Sequence, residues 1–420
     1  MPGTFRFLHV ADVHLDSPMR GLTRYEGLPV AEIRGATRAA FTNMVEAALA
    51  ESVDFVVIAG DLFDGDWRDM STGLHFAAAI GRLTQRGIPV FILAGNHDAD
   101  SRLTSQLPLP KEVRRFGARK AESFTLPELG VVLHGRSFAT PEVREDMTPG
   151  YPAAVAGLFN IGVLHTSLAG YAAHETYAPC APATLAAKGY DYWALGHVHE
   201  HQVVQAAPHI VFPGNLQGRH IRETGAKGAV LVEVEDGVVR QLRHLPLDVL
   251  RWCRVELPCD TLADEDALLD AMRAALHGLA EAEGEGRLVV ARLVLTGATP
   301  LHGRLQDRRG ALRDQVRALA AHASERLFIE KLSLHTTPPR SEASAQPIAE
   351  DLAAMLREAL ADPELAQALQ QDLAGFLAVA PEARDEQRES LLAQARAGEW
   401  TAALAAASEA LEARLMQGAG

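Results

Sequence analysis

Cysteine is scarce in this 420-residue chain, with only Cys180, Cys253 and Cys259. An odd, scattered set is not a disulfide framework, so a reducing cytoplasm is the expected home. Positive charge is also in deficit: 40 Lys and Arg stand against 54 Asp and Glu, for a net charge of −14. A basic footprint spread over the whole chain, as in many nucleic-acid-binding proteins, is therefore missing. That weakens a nucleic-acid role without excluding it, because bound divalent cations invert the local charge of a site. No apolar run is long enough to cross a bilayer. Residues 1–10 lack the basic-then-apolar pattern of a secretory leader, so no membrane role is expected. The pattern G-x-x-x-x-G-K-[ST] is absent, which excludes a phosphate loop of the chain's own for ATP. No repeat of fixed period occurs.

What is present fits a soluble globular protein, with 48% hydrophobic and 22% charged residues. The length calls for two or three domains. The first part alternates strand-like and helix-like segments. Residues 5–10, 54–59, 90–94, 131–134, 160–164, 190–195, 210–212, 229–235 and 238–244 read as strands. Several are continuously apolar, as expected of strands covered on both faces. Asp236-Gly237 joins the last two as a hairpin. Helical spacing runs over 31–50, with Ile33, Ala36, Ala40, Met44, Val45 and Ala48 on one face, and over 75–85. Beyond residue 249 the order strand, helix, strand, helix, strand predicts a small α+β domain. The stretch 337–347 (TPPRSEASAQP) reads as a linker, and an Ala/Leu/Glu-rich helical tail follows. The expected division is a catalytic domain over 1–248, a small domain over 249–337, a linker over 338–347 and a helical region over 348–420.

Five short motifs each follow a predicted strand. They are Asp12-Val13-His14, Gly60-Asp61-Leu62-Phe63-Asp64, Gly95-Asn96-His97-Asp98, Leu164-His165-Thr166 and Gly196-His197-Val198-His199. In α/β sheets the carboxyl edge is where loops converge on a ligand. Residues two apart on extended backbone point the same way, so Asp12 with His14, and His197 with His199, can each address one cluster. The set supplies ligands for two divalent ions. Asp61 is the candidate bridge, Asp12, His14 and His199 would complete one ion, and Asn96, His165 and His197 the other. Mixed nitrogen and oxygen donors favour Mn²⁺, with Fe or Zn as alternatives, over Mg²⁺ and Ca²⁺. Any one of these residues read alone is better explained as a loop polar or a satisfied core histidine; five in this order, each at a strand end, are not.

His97 is the candidate general acid, with Asp98 as a carboxylate that can set its tautomer. Asp64 either orients a ligand or caps a helix starting near Trp67. Arg219 could hold phosphate or make a surface ion pair. Arg20, Arg24, Arg68 and Arg102 flank the motifs and are candidate DNA contacts, each equally explained by surface pairing. His174 reads as a solvated loop histidine, and Cys180 as a packed thiol rather than a nucleophile.

On these motifs the sequence resembles the calcineurin-like metallophosphoesterases. Within them it resembles the SbcD-type DNA repair exonucleases, most closely the YhaO-type branch. His9 to Pro18, Tyr177-Ala-Pro-Cys180, Asp191 to His199 and Phe212 to Arg219 carry this finer resemblance. It covers residue 5 to about residue 247 and fades beyond. The resemblance implies a four-layer αββα sandwich with a small α+β cap domain and a helical C-terminal tail. It implies two Mn²⁺ ions and exonucleolytic or endonucleolytic cleavage of DNA in repair. It further implies an SMC-like coiled-coil ATPase docked on the C-terminal region, and allows a homodimer. Several relatives carry a histidine shortly after the Gly-Asp motif, where this chain has Asp64, which leaves a second catalytic histidine unassigned. The competing expectation is a small-molecule phosphodiesterase or phosphomonoesterase with the same metal centre.

Overall fold

The computed structural model describes residues 3–17, 29–64, 70–99, 109–168 and 177–339, with a few single positions between 355 and 400. Arg20, Arg24, Trp67, Arg68, Arg102 and His174, and nearly all of the expected linker and helical tail, lie outside the described residues. The chain falls into two compact units. One takes in residues 1–255, 276–292 and 319–331, the other 256–275, 293–318 and 332–420.

In chain order the first unit begins β1 (Phe5–Val10), α1 (Val30–Ala50), β2 (Phe55–Ala59), α2 (Met70–Thr84), β3 (Val90–Leu93), β4 (Val113–Arg115) and β5 (Glu122–Leu126). It continues with β6 (Val131–Gly135), β7 (Phe159–His165), α3 (Pro182–Ala187), β8 (Tyr192–Gly196), β9 (Gln202–Ala206), β10 (His209–Phe212), β11 (Gly228–Glu235) and β12 (Val238–Pro246). These strands make two six-stranded sheets, ordered β12-β11-β1-β2-β3-β4 and β5-β6-β7-β8-β10-β9. In the first, β1 to β4 run parallel and β11 is antiparallel to β1. In the second, β6, β7, β8 and β10 run parallel.

The period of two explains why the strands read as unbroken apolar runs. Phe5, Phe7, Phe55, Val57 and Phe91 point into a core shared with Phe159, Ile161, Val163, Tyr192 and Ala194 from the second sheet. Their neighbours Leu8, Val10, Val56, Ile58, Val90 and Ile92 pack outward against Phe41, Met44, Val45 and Phe76 of α1 and α2. On the far side, Trp193, Leu195, Ile210 and Phe212 meet Leu185 of α3 and loop residues such as Tyr151 and Cys180. The order helix, sheet, sheet, helix is the expected αββα sandwich. Among the described residues its fourth layer holds one six-residue helix, and loops do the rest of the covering. Each fully buried Val, Leu or Phe contributes about 1.5–3 kcal/mol, and the Phe7–Phe55 stack at 5.0 Å adds to that.

Three strands escaped sequence reading: β4, β5 and β9. Each lies at a sheet edge with one side half-exposed, so its apolar signal is diluted. The expected helices over 31–50 and 75–85 appear as α1 and α2.

A further three-stranded sheet has the order β13-β14-β15, formed by Leu250–Pro258, Leu288–Ala298 and Leu327–Thr337. Helix α4 (Glu265–Glu283) connects the first two strands in sequence, and α5 (His302–Asp307) with α6 (Arg309–Ala323) connects the last two. In the second unit, Cys259 N–H donates to the Thr296 carbonyl at 2.8 Å and the Asp260 carboxylate accepts from Ala298 N–H at 2.9 Å. No described helix is long and apolar enough to cross a membrane.

His9 sits fully buried on β1. One ring nitrogen lies 3.0 Å from the Leu195 carbonyl, which can only accept, so the other accepts from the Tyr192 hydroxyl at 3.0 Å. Burial holds this neutral imidazole at a pKa of about 3, down from 6.5. The unfolded chain therefore takes up a proton that the folded one refuses, and stability falls as pH drops from 6.5 towards 3. At pH 5 the loss is about 2 kcal/mol. Urea unfolding at pH 7 and pH 5 checks this: His9→Leu, although less stable at pH 7, is expected to lose about 2 kcal/mol less between the two. An equal loss in both proteins would remove His9 as the cause.

Candidate metal centre

The five motifs leave the ends of β1, β2, β3, β7 and β8, so the site straddles the carboxyl edges of both sheets. Their backbones are cross-tied. Asp12 N–H donates to the Gly60 carbonyl, and His14 N–H to that of Asp61, both at 3.0 Å. The reading of Asp12 and His14 as an extended pair is corrected here. Their φ angles are +49° and +44°, with +52° at Asp61 and +101° at His197. Left-handed non-glycine residues cost about 1–3 kcal/mol each and persist where the surroundings hold them. The chain thus turns sharply at each strand end and aims the side chains inward.

The structure brings all seven expected metal ligands together. His14 Nε2 lies 3.3 Å from His199 Nε2 and 3.8 Å from Asp61 Oδ2. His199 Nε2 lies 3.7 Å from Asp12 Oδ1. His165 Nε2 lies 3.4 Å from Asp61 Oδ2 and 3.0 Å from Asn96 Oδ1. The His197 ring is 5.2 Å from the His165 ring, and its backbone N–H donates to the Asp12 carboxylate at 2.9 Å. Asp12, His14 and His199 form one potential cation cluster, and Asp12, Asp61 and His165 another.

The chemistry of this donor set fits divalent cations. His199 Nδ1 meets the Glu223 carboxylate at 2.8 Å, and His165 Nδ1 meets the Ala59 carbonyl at 3.0 Å. Each outer partner can only accept, so each ring turns its Nε2 lone pair toward the centre, as metal-binding imidazoles do. Burial disfavours charge on His165, yet the Asp61 carboxylate beside it pulls its pKa up to about 9. The point in front of Nε2 thus attracts a positive charge. Burial also opposes charge on Asp61, but His165 and His14 hold it well below the ordinary carboxylate range. His14 is kept neutral, mainly by burial. The walls are glycine because nothing larger fits. A Cβ on Gly60 would strike the His165 ring, and one on Gly95 would strike the Asp61 carboxylate.

His97 lies beside this cluster, its ring 4.9 Å from that of His14. The expected pairing with Asp98 is corrected. His97 Nδ1 meets Asp64 Oδ1 at 2.7 Å. Asp98 is buried and accepts backbone N–H groups from Leu62, Phe63 and Gly95 at 3.0, 2.8 and 3.1 Å. It ties the second motif to the third. Burial and the neighbouring Asp61 charge push its pKa up to about 7. Asp64 also accepts from Ser17 Oγ at 2.8 Å and lies 3.8 Å from His14 Nδ1. The adjoining His14 ring and the His97 hydrogen bond hold its carboxyl far below the usual range, and the Asp64 bond in turn raises His97. These contacts bear on the orienting reading of Asp64; the helix expected near Trp67 lies outside the described residues.

Glu223 was not legible in sequence. It is buried and accepts from His199, from Asn215 Nδ2 at 3.0 Å and from Arg219 N–H at 2.7 Å. Burial opposes its charge, but the His199 bond and the Arg219 guanidinium keep its pKa well below normal. Arg219 reaches the same corner, with Nη2 3.2 Å from Glu223 and Nη1 3.4 Å from Ser17 Oγ. No motif spacing pointed to Glu223; it sits on an irregular turn that only the fold brings under His199.

Two clusters of nitrogen and oxygen donors, on this double-sheet frame, define a metal-dependent phosphoesterase, a hydrolase. The sequence matches the family model for calcineurin-like phosphoesterases over residues 5–201. It matches that for the middle domain of metallophosphoesterase YhaO over 252–337. The uncharacterized metallophosphoesterase YhaO of Bacillus subtilis (strain 168) is 34% identical over 333 residues, covering 78% of this chain and 80% of that protein. The chain therefore belongs to the calcineurin-like metallophosphoesterase family. More distant is the DNA double-strand break repair protein Mre11 of Sulfurisphaera tokodaii, 23% identical over 62% of this chain and 67% of its own. That of Thermoplasma acidophilum is 26% identical over 61% and 70%.

Proposed function

We propose that this metallophosphoesterase is a DNA nuclease, exonucleolytic and in some contexts endonucleolytic, that works with two Mn²⁺ ions. The observation that carries it is the convergence of Asp12, His14, Asp61, Asn96, His165, His197 and His199 on one site. The similarity to proteins named for DNA double-strand break repair supports the substrate class. Asp12, His14 and His199 would hold one ion and Asn96, His165 and His197 the other, with Asp61 available to both. Bound there, the cations supply Lewis-acid charge to phosphate oxygens and make water acidic enough to act as nucleophile near neutral pH.

The chain's own residues do the rest. His97, oriented through Nδ1 by Asp64, delivers a proton to the departing ester oxygen. Arg219, braced by Glu223, holds a non-bridging phosphate oxygen. Asp98 keeps the loop carrying Asn96 and His97 in place through its three backbone contacts. In this reading residues 1–248 are the nuclease domain and 249–337 a cap. Residues 348–420 dock on an SMC-like ATPase, with DNA repair in the cytoplasm as the setting.

A small-molecule phosphodiesterase is the competing reading, and the net charge of −14 speaks for it. Cleavage of end-labelled single- and double-stranded DNA with Mn²⁺, run beside bis(4-nitrophenyl) phosphate, separates the two. The expected result is release of nucleotides from DNA. Hydrolysis of the aryl ester with every DNA substrate intact would sink the nuclease reading.

A further inference from the structure

One edge of the first sheet is basic. Residues 111–120 carry five basic side chains and one acidic in a chain of net charge −14. Lys111, Arg114, Arg119 and Lys120 are exposed, and among the described residues none of the four has an ion pair. Arg114 lies over the Phe124 ring at 5.8 Å, which keeps its charge at the surface. Arg136 joins them, its Nε donating to the Ala118 carbonyl at 3.2 Å. The opposite edge of the same sheet differs. There Arg240 faces Glu235 at 3.6 Å, and Arg243 meets Glu51 at 2.8 Å. Charges serving only to block edge pairing would do equally well neutralised, so the contrast calls for a partner that is itself anionic.

The position names that partner. Strand β4 pairs in parallel with β3, Arg115 opposite Ile92. Four residues on from Ile92 comes Asn96 of the metal centre. The strand ends are locked together: Phe116 N–H donates to the Ile92 carbonyl at 3.0 Å, and Ala94 N–H to Ser137 Oγ at 3.0 Å. A polyanion on this edge therefore runs straight to the Asn96 side of the site.

We propose that Lys111, Arg114, Arg119 and Lys120 hold the phosphate backbone of the DNA substrate on the flank beyond the scissile bond. This rests on the nuclease reading. The test is the full chain with all four changed to Gln, compared with wild type and with an Arg240→Gln/Arg243→Gln control. DNA affinity in EDTA is measured from 50 to 200 mM salt, and bis(4-nitrophenyl) phosphate turnover with Mn²⁺. The quadruple variant should bind DNA at least tenfold more weakly at 50 mM salt. Its slope of log affinity against log salt should be shallower by about 3 to 4, one unit for each phosphate no longer neutralised. The control should match wild type, and aryl ester turnover should be unchanged in all. Lys111→Gln/Lys120→Gln, which alters only two exposed side chains, should shift the slope by about 2. Wild-type slopes in both edge variants would overturn the proposal while leaving the nuclease reading intact. A wild-type protein with no DNA affinity would overturn both.

Discussion

Asp61→Ala is expected to lose bound metal and activity together. Asp61 lies 3.4 Å from His165 Nε2 and 3.8 Å from His14 Nε2, so it faces both halves of the cluster, as does Asp12, which is common to the two cation clusters. It also accepts the His97 backbone N–H at 3.0 Å, which fixes the loop of the third motif. Without it, the His165 ring loses its nearest carboxylate. Metal content by elemental analysis should fall from two ions per chain towards none. Phosphodiester turnover should drop on the order of 10³-fold or more, since several kcal/mol of charge stabilisation disappear. Full metal content with unchanged turnover would remove Asp61 from the centre. The change also leaves the His165 ring and the His97 backbone N–H without their partner, so the unfolding midpoint should fall as well, and metal content is measured on the folded protein.

His97→Asn should do the opposite to metal and nearly the same to rate. The ring is half-exposed and touches the cluster only at its edge, so both ions should stay. Turnover should slow by about 10²–10⁴-fold, the usual worth of a positioned general acid. Asp64→Asn should slow turnover as well, by less, because it leaves the ring in place but weakens what orients it. Asp98→Ala should act differently again. It strands three buried backbone N–H groups, at about 1–3 kcal/mol each, so its main effect should be a lower unfolding midpoint. Metal loss in His97→Asn equal to that in Asp61→Ala would reassign His97 as a ligand. A large rate loss in Asp98→Ala at unchanged stability would restore Asp98 to a catalytic role.

The seven candidate ligands were legible because each lies at the end of, or just after, a strand that announces itself by an apolar run. Buried strands have no solvent face to interrupt the pattern, so β1, β2, β3, β7 and β8 stand out along with the polar residues that end them. Edge strands dilute that signal, which is why β4, β5 and β9 did not, whereas the edge strand β12 was marked by its Asp236-Gly237 hairpin. The role of Asp98 was misread for a related reason. Adjacency to His97 in sequence says nothing about direction once the backbone turns, and this loop sends the two side chains to opposite sides. Asp64, from another strand end, is what reaches the ring.

Residue order by itself determined the fold class, the strand ends and the donor types, because these depend on local periodicity and on what each side chain can ligate. The tertiary structure decided which donors share a centre, through the left-handed turns at Asp12, His14, Asp61 and His197 and the packing of two sheets edge by edge. It also placed Glu223 under His199 and paired the basic edge of β4 with β3, the strand that leads to Asn96. Those are contacts between segments far apart in the chain. They exist because burying Phe5, Phe7, Phe55, Phe159 and Tyr192 between the sheets leaves their carboxyl ends nowhere else to go.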